Sequence, residues 1–140
     1  MSIYQHSAIL SIDAGRRRYV IAQAQVDHLG LLDPAEAPTD LSGRALICRD
    51  LGPMLGGAGH TAGGRRHAVT IALRRRSVAL LIDHIDSLDE EEPLKIQALS
   101  PLLAYRLARP WFIGAVVYRD APLLLLDLRR IATDVAISAV

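Results

Sequence analysis

The alternation of apolar and polar positions is clearest over residues 66–86, RHAVTIALRRRSVALLIDHID. Residues 67–73 alternate small and large side chains, which places a valine, an isoleucine and a leucine on one face of a strand. Residues 78–82 are apolar without a break, as in a strand that is buried on both faces. Three consecutive arginines separate the two runs and suit a solvated turn. The pattern therefore predicts a β-hairpin at the centre of the fold.

The same criteria predict further elements on both sides of this hairpin. Short apolar runs bounded by turn residues indicate strands, glycine closes one helical turn, and Ser100 followed by Pro101 is a typical helix start. The predicted elements are a hairpin at 7–23, strands at 43–48, 111–118 and 123–126, helical turns at 50–56 and 127–132, a helix at 101–108, and a last strand or frayed end at 135–140.

Two short motifs occur twice and in the same order. Residues 26–29, Val-Asp-His-Leu, match residues 82–85, Ile-Asp-His-Ile, and each follows a predicted hairpin. Further on, LICRDL at 46–51 matches LLLLDL at 123–128, an apolar strand that ends in Asp-Leu before a helical turn. The repetition predicts two lobes, and many short strands are typical of small β-barrels. Five glycines within residues 56–64 place the predicted boundary between the lobes there.

Composition narrows the class of protein. Of 140 residues, 51% are hydrophobic and 22% are charged, which excludes a disordered chain, and a net charge of +1 gives no overall attraction to nucleic acid or membrane. The single cysteine, Cys48, permits no intrachain disulfide. The N-terminus lacks the features of a signal peptide, and no apolar run approaches the roughly 20 residues that span a bilayer. We expect a soluble, cytoplasmic protein in which residues 1–140 form one domain.

No arrangement of side chains predicts catalysis. Arginine clusters at 16–18, 65–66, 74–76 and 129–130 could bind phosphate, but aromatic side chains for base stacking are not interleaved with them. The glycine-rich stretch lacks the lysine of a P-loop, and the two Asp-His pairs lack the spacing of a metal site. We therefore expect no enzyme activity, no cofactor and no metal. A small β-barrel that binds nucleic acid or a small ligand through its arginine-bearing turns stays open as the alternative to a protein-binding module.

Two aspartates are expected to have a structural role. Asp50 and Asp127 each precede a predicted helical turn, where a carboxylate can accept hydrogen bonds from free backbone N–H groups. We expect both to act as N-caps, so that Asp127→Ala would lower the free energy of unfolding by about 1 kcal/mol. Cys48 lies in an apolar run and is expected to be an inert core thiol.

Three stretches of the chain resemble the CheW-like domain family, the adaptor modules of bacterial chemotaxis arrays. Residues 40–51, DLSGRALICRDL, are similar to the family's Asn-Leu-Arg-Gly element and its apolar strand ending in Asp-Leu. The central stretch, residues 66–86, resembles the family's apolar strand that ends in Val-Asp and leads to a second apolar position. Residues 112–116 and 123–128 are similar to its closing strand pair, an Ile-Gly strand followed by Leu-Leu-Leu-Asp-Leu. These markers occur in the family's order.

The resemblance implies a mainly β fold in which two small SH3-like, five-stranded β-barrel lobes share an apolar core, with short helices. It also implies a scaffold without catalysis of its own, which couples a CheA-like histidine kinase regulatory domain to the cytoplasmic tips of chemoreceptors. By analogy with the family, the protein-binding residues are Val26, Asp27, His28, Leu29, Leu41, Ser42, Gly43 and Arg44.

The chain departs from the family pattern in this region. Asp40 replaces the asparagine of the motif, Ser42 its arginine and Ile47 the proline of the strand, and the segment before Asp40 is shorter. The arginine region is tied to receptor contact in the family. The resemblance therefore implies a divergent, shortened member whose receptor coupling differs from that of the family.

Overall fold

The computed structural model of the chain describes residues 8–60, 63–88, 96–99 and 109–138. The strands in these ranges are β1 Ile9–Ala14, β2 Arg17–Ala22, β3 His28–Leu32, β4 Ile47–Asp50, β5 Arg66–Ala72, β6 Ser77–Ile82, β7 His84–Ser87, β8 Ile96–Ala98, β9 Phe112–Tyr118 and β10 Ala121–Leu126. The α-helices in these ranges are α1 Leu51–Met54 and α2 Leu128–Ser138.

The central hairpin predicted from the sequence is confirmed as β5 and β6, which pair antiparallel. Every residue of β6 is buried, as the unbroken apolar run requires for a strand with neighbours on both sides and packing on both faces. The arginines at 74–76 are exposed, because they lie in the turn that joins the two strands. That turn is closed by a hydrogen bond from the Leu73 N–H to the Arg76 carbonyl, 2.7 Å long.

The strands form two sheets, so the predicted mainly β architecture with short helices is confirmed. One sheet has the order β7-β1-β2-β10-β9-β8 and the other has the order β3-β5-β6-β4. Within the described ranges the sheets contain six and four strands, whereas the family resemblance implied five in each lobe. The difference arises because β9 and β8 continue the larger sheet beyond β10, while no described strand continues the smaller sheet beyond β4.

The chain has a first half, residues 8–60, and a second half, residues 63–138. The two halves exchange hairpins, which means that the hairpin of each half lies between strands of the other half. The β1–β2 hairpin lies between β7 and β10 of the second half, and the β5–β6 hairpin lies between β3 and β4 of the first half. The pairing directions repeat as well, since β3 runs antiparallel to β5 as β7 does to β1. In the same way β4 runs parallel to β6 as β10 does to β2. The duplication predicted from the sequence is therefore present in the topology.

The repeated Asp-His motif makes the same contacts in both halves. The N–H of Asp27 donates to the Thr70 carbonyl, and its carboxylate accepts from the Ala72 N–H at 2.6 Å. Asp83 repeats the pattern on the other hairpin, where its N–H donates to the Asp13 carbonyl and its carboxylate accepts from the Gly15 N–H at 3.1 Å. Each aspartate thus ties the end of one half's hairpin to a strand of the other half.

The apolar side chains form one large shared core and two smaller clusters. The shared core contains side chains from both sheets and both helices, including Ile12, Ile71, Leu80 and Ile131. A second cluster, around Val20, lies within the larger sheet, and a third contains the small set Ala68, Ala79 and Leu81 of the smaller sheet. Because the largest cluster draws on both halves, neither half can bury its apolar face alone.

Two backbones approach closely where the β1–β2 turn meets α1. A methyl group added at Gly52 would lie 2.5 Å from the Ala58 carbonyl oxygen and 2.7 Å from the Gly15 nitrogen. Gly57 faces the same turn, where an added methyl would lie 2.7 Å from the Gly15 oxygen. Only glycine fits at these points, so the sequence repeats glycine where the two sheets are joined.

Three sequence-based predictions need correction. The glycine-rich stretch at 56–64 does not separate the sheets, because β4 before it and β5 after it belong to the same sheet; the chain passes between sheets at 23–27 and at 83 instead. The strand expected at 43–48 begins only at Ile47. The expected strand or frayed end at 135–140 belongs to α2 as far as Ser138. The helix predicted at 101–108 lies outside the described residues.

Candidate protein-binding surface

Strand β3 forms an edge of the smaller sheet and carries exposed leucines. It pairs with β5 on one side, and no described strand pairs with its other side. Leu29 is 37% exposed and Leu31 is 57% exposed, although both project from the face that carries the buried Val69 on β5. An unpaired strand edge offers backbone N–H and C=O groups to another chain. The β3 edge therefore combines backbone hydrogen-bonding groups with exposed apolar side chains.

The first predicted segment holds β3 in place. Val26 is partly buried and packs on the shared core, while Asp27 is fixed to β5 through the two hydrogen bonds described above. His28 then begins the strand with an exposed side chain. Of the four predicted residues, Leu29 and His28 are the ones whose side chains a partner could reach most readily, and Asp27 has a structural role.

The second predicted segment is a compact turn organised by the carboxylate of Asp40. One carboxylate oxygen accepts the N–H groups of Ser42 and Arg44, each at 2.9 Å. The other accepts the Arg44 Nε–H and the Ser77 hydroxyl, each at 3.2 Å. The hydrogen bond from the Arg44 backbone is the main reason why the pKa of Asp40 is lower than its ordinary value. The ionised form of Asp40 therefore stabilises this turn.

This turn presents an apolar side chain to solvent. Gly43 has φ +82°, a conformation that favours glycine, and it lets the chain reverse between Asp40 and Arg44. The Arg44 guanidinium donates to the Arg75 carbonyl at 2.7 Å and so attaches the turn to the β5–β6 hairpin. Leu41 stands at the tip with its side chain fully exposed, at 102%. A fully exposed leucine on an anchored turn is available to a partner.

The two predicted segments lie at the same end of the smaller sheet. Residues 26–29 approach the β5–β6 turn from the β3 side, where the Asp27 carboxylate accepts from the Ala72 N–H. Residues 41–44 approach it from the β4 side through Arg44 and Arg75. The exposed arginines at 74–76 lie between the two segments. The structure thus brings the segments to one end of the sheet but keeps the β5–β6 hairpin between them.

Sequence reasoning missed Leu31, which is the more exposed of the two apolar residues on β3. The signal was available, because Leu29 and Leu31 alternate with Gly30 in the pattern of a strand with one apolar face. No strand was predicted at residues 28–32, and the predicted binding segment ended at Leu29. We include Leu31 in the candidate surface for its exposure and its position on the free edge.

Sequence reasoning also missed a buried network around Arg66, one residue of the arginine cluster at 65–66. The Arg66 side chain is only 7% exposed, and its Nη2 group lies 3.3 Å from an Asp50 oxygen and 3.1 Å from an Asp83 oxygen. The His60 N–H donates to Asp50 and its ring lies 3.6 Å from Asp83. The Nε–H of Arg66 has no hydrogen-bond partner within the described part of the chain. Asp50 stands at the N-cap position of α1, but its carboxylate accepts no hydrogen bond from that helix, so the predicted capping role is wrong.

The second predicted cap is present. The Asp127 carboxylate accepts the N–H of Arg130 at 3.3 Å, at the start of α2, and also the side-chain amide of Gln25 at 3.0 Å. The Gln25 carbonyl oxygen in turn accepts the N–H of Leu128 at 2.8 Å. The start of α2 in the second half is therefore capped jointly by its own aspartate and by a glutamine from the first half.

The described side chains form no cluster of three or more His, Cys, Asp or Glu residues that could hold a metal ion. Cys48 is half-buried, and desolvation raises the pKa of its thiol, which keeps it in the poorly reactive protonated form. No helix within the described ranges is long and apolar enough to cross a membrane. The strongest candidate for function is accordingly the surface formed by β3 and the turn around Leu41.

Comparison with solved structures shows a similar fold in the scaffolding protein TtCheW from Thermoanaerobacter tengcongensis. The TM-score is 0.61, and the match covers 86% of this chain and 88% of that chain at 14% sequence identity. No family model and no curated protein matches the sequence. The likeness establishes a CheW-like fold, in agreement with the arrangement that the sequence resemblance implied.

Proposed function

We propose that this chain is a non-catalytic adaptor of a chemotaxis-type signalling system, which couples a histidine kinase regulatory domain to receptors. The observation that carries the proposal is the pair of exposed leucines on the free β3 edge, in a fold similar to that of a scaffolding protein. Exposed apolar side chains in a row mark interaction surfaces more often than isolated ones do. The exchange of hairpins gives this edge a rigid support, as a docking surface requires.

The β3 edge suits a partner that binds along a strand. The outer backbone groups of β3 can pair with an extended segment, while Leu29 and Leu31 supply apolar contacts on one face. The kinase regulatory domain is the partner we assign to this edge. Binding there would bury both leucines, and a charge introduced at Leu31 would have to be desolvated in the complex.

We assign the turn at 41–44 to the receptor side of the adaptor. Leu41 offers an apolar contact, and Arg44 attaches its turn to the β5–β6 turn, whose exposed arginines carry positive charge. Ser42 stands where the family carries arginine, and its backbone N–H donates to the Asp40 carboxylate. Receptor affinity through this turn would therefore depend on Leu41 and on salt concentration.

The kinase contact is tested with Leu31→Asp in a titration of labelled protein with the purified regulatory domain of a chemotaxis-type kinase from the same genome. We expect the substitution to raise the Kd about tenfold or more, because it places an unpaired charge in the interface. Val117→Asp is the matched control, because Val117 on β9 is 50% exposed but lies on the other sheet. It should leave the Kd unchanged.

The same titration, with an oligonucleotide in place of the kinase domain, tests the alternative function of nucleic-acid binding. Saturable, salt-sensitive binding of oligonucleotide without any binding of the kinase domain would overturn the adaptor proposal and favour the arginine-bearing turns as the functional site. Equal affinities of the Leu31→Asp and Val117→Asp variants for the kinase domain would keep the adaptor role but remove β3 from the contact surface.

A further inference from the structure

Among the described strands, every pairing on an outer edge of the β1–β2 or β5–β6 hairpin joins the two halves of the chain. Within the first half the described pairing is β1 with β2, and within the second half β5 pairs with β6 and β9 pairs with β8 and β10. The pairs β1–β7, β2–β10, β3–β5 and β4–β6 all cross between the halves. Each half therefore contains one hairpin, β1–β2 or β5–β6, whose two outer edges pair with strands of the other half.

Polar contacts between the halves point the same way. Asp50 and His60 of the first half meet Arg66 and Asp83 of the second half in the buried arginine network. The side-chain oxygen of Gln25, in the first half, accepts the backbone N–H of Leu128 at the start of α2, in the second half. If the halves were separated, Arg66 would lose Asp50 and keep only the Asp83 carboxylate as a counter-charge, and the Leu128 N–H would lose its contact with Gln25.

Part of the covalent connection between the halves is open to solvent. It runs through the glycine-rich stretch, where Gly63 and Gly64 are exposed and a methyl group added at either would meet nothing within 4 Å. Six residue steps separate His60 from Arg66, which can span about 20 Å when extended. A connection of this reach can lead to the second half of the same molecule or to that of an adjacent one.

We infer that the binding partner encoded by this topology is a second copy of the same chain, which exchanges halves to form a dimer. In such a dimer the first half of each copy completes its sheets with the second half of the other copy, so every contact between halves is made as in the monomer. The ratio of dimer to monomer then depends on the protein concentration and on the length of the connection. The dimer competes with the monomer when the protein concentration approaches the effective concentration set by a short linker, which is in the millimolar range. The dimer would present two β3 edges. The inference does not depend on the proposed function.

Recognition between the halves is tested by dividing the chain between Gly63 and Gly64. Fragments 1–63 and 64–140, expressed together, should co-purify in equal amounts and give the circular dichroism spectrum and single melting transition of the intact protein. Each fragment alone should show no cooperative transition, because its hairpin lacks flanking strands. Cooperative folding of either fragment alone, or failure of the two to combine, would overturn the inference.

Exchange in the intact chain is tested with a disulfide that spans the halves. Leu31 and His67 are directly opposite on β3 and β5, so cysteines there can be bridged in the native fold. In a Cys48→Ala background, refolding at about 1 mM followed by oxidation should give covalent dimers on a non-reducing gel. Refolding at hundredfold dilution should give intrachain bridges.

The control places both cysteines in one hairpin, at Asp13 and Arg18, which are opposite on β1 and β2. This bridge stays within one chain in monomer and exchanged dimer alike, so covalent dimers of the control would indicate random oxidation. Intrachain bridges alone for the Leu31–His67 pair at the highest concentration would show that copies do not exchange.

Discussion

At the scale of single residues, Gly52 and Arg66 hold different parts of the fold together by opposite means: Gly52 joins α1 to the β1–β2 turn, and Arg66 joins the two halves. Gly52 permits a close approach because it has no side chain: the backbones of Gly15 and Ala58 occupy the space that a methyl group would need. Arg66 works through charge, because its guanidinium joins a carboxylate from each half. A change at Gly52 therefore acts on the contact between α1 and the β1–β2 turn, and a change at Arg66 acts on the contact between the halves.

Gly52→Ala should lower the free energy of unfolding by about 2 kcal/mol or more, because the new methyl group meets backbone atoms that cannot rotate away. Gly63→Ala is the matched control, since its methyl would meet nothing within 4 Å and its φ is not in the left-handed region. It should raise the free energy of unfolding by about 0.5 kcal/mol by restricting the unfolded chain. Urea denaturation measures both. Equal effects would mean that the close approach of the backbones is not required.

Replacing the two carboxylates should lower the free energy of unfolding more than replacing the arginine does. The Asp50→Asn/Asp83→Asn double variant leaves a buried guanidinium without a counter-charge and should lose about 3 kcal/mol. Arg66→Met leaves two carboxylates that are 26% and 37% exposed and can be hydrated, so we expect a loss of about 1 kcal/mol. Urea titrations at neutral pH compare the two variants. A larger loss for Arg66→Met would contradict this account of the network.

At the scale of elements, the turn around Leu41 depends on an ionised carboxylate. Asp40 accepts four hydrogen bonds from Ser42, Arg44 and Ser77, and its pKa lies below the ordinary value of 3.8. A carboxyl group whose pKa is lowered in the folded state stabilises that state above its unfolded pKa. The stabilisation is lost as the pH falls through the folded pKa, when the carboxyl group becomes protonated.

Acidification should therefore loosen this turn before the rest of the sheet. Amide hydrogen exchange should show that protection at Arg44 decreases as the pH is lowered from about 6 to about 2, after correction for intrinsic exchange rates. Asp40→Asn should abolish the pH dependence, because the amide does not titrate. Asp33→Asn is the control, since the Asp33 carboxylate accepts from Ala35 outside this turn. Unchanged pH dependence in Asp40→Asn would assign it to another group.

The sequence was sufficient to predict the elements that local patterns define. It was not sufficient to predict features that depend on tertiary contacts. The β5–β6 hairpin and the β9–β10 turn were predicted closely, because apolar runs and turn residues mark them within a few positions. The end of α2 was missed although Leu128, Ile131 and Val135 have helical spacing, because β-branched residues near the C-terminus also suit a strand. The burial of Arg66 could not be predicted, because its partners lie 16 and 17 positions away.

The candidate surface was predicted in part, for the same reason. The family resemblance named the segments at 26–29 and 41–44, and both lie at one end of the smaller sheet. Local alternation could have identified Leu31, but the free edge of β3 follows from the order of strands in the sheet, which involves contacts across the whole chain. Sheet order is a property of non-local pairing, and a hydrophobic pattern alone does not determine it.

At the scale of the whole molecule, the exchanged hairpins should make the two sheets unfold as one unit. Separation of either sheet requires both halves to dissociate, because each sheet contains strands of both. The shared core crosses between the sheets as well. A structure of this kind leaves no element of substantial size that can unfold alone and retain its own core.

Thermal unfolding should accordingly be a single transition that is the same for all probes. Trp111 is the only tryptophan, is buried, and donates to Asp134 on α2 at 2.7 Å, so its fluorescence reports on the second half. Far-ultraviolet circular dichroism reports on both sheets. The midpoints from the two probes should coincide. Two separated transitions would show that the halves or the sheets are independent in stability.

The exchanged hairpins also bear on the descent of this sequence. Once the connection between Gly63 and Gly64 is cut, the topology becomes that of two half-length chains, each of which contributes a hairpin to the other. Duplication of a gene for one such chain, followed by in-frame fusion, produces this order of elements, with β8 and β9 as an addition to one copy. After fusion, the two copies can diverge wherever the exchanged contacts do not constrain them. On this account, Leu31 on β3 and Ser87 on β7 would stand at one position of the duplicated unit, at which the two copies differ.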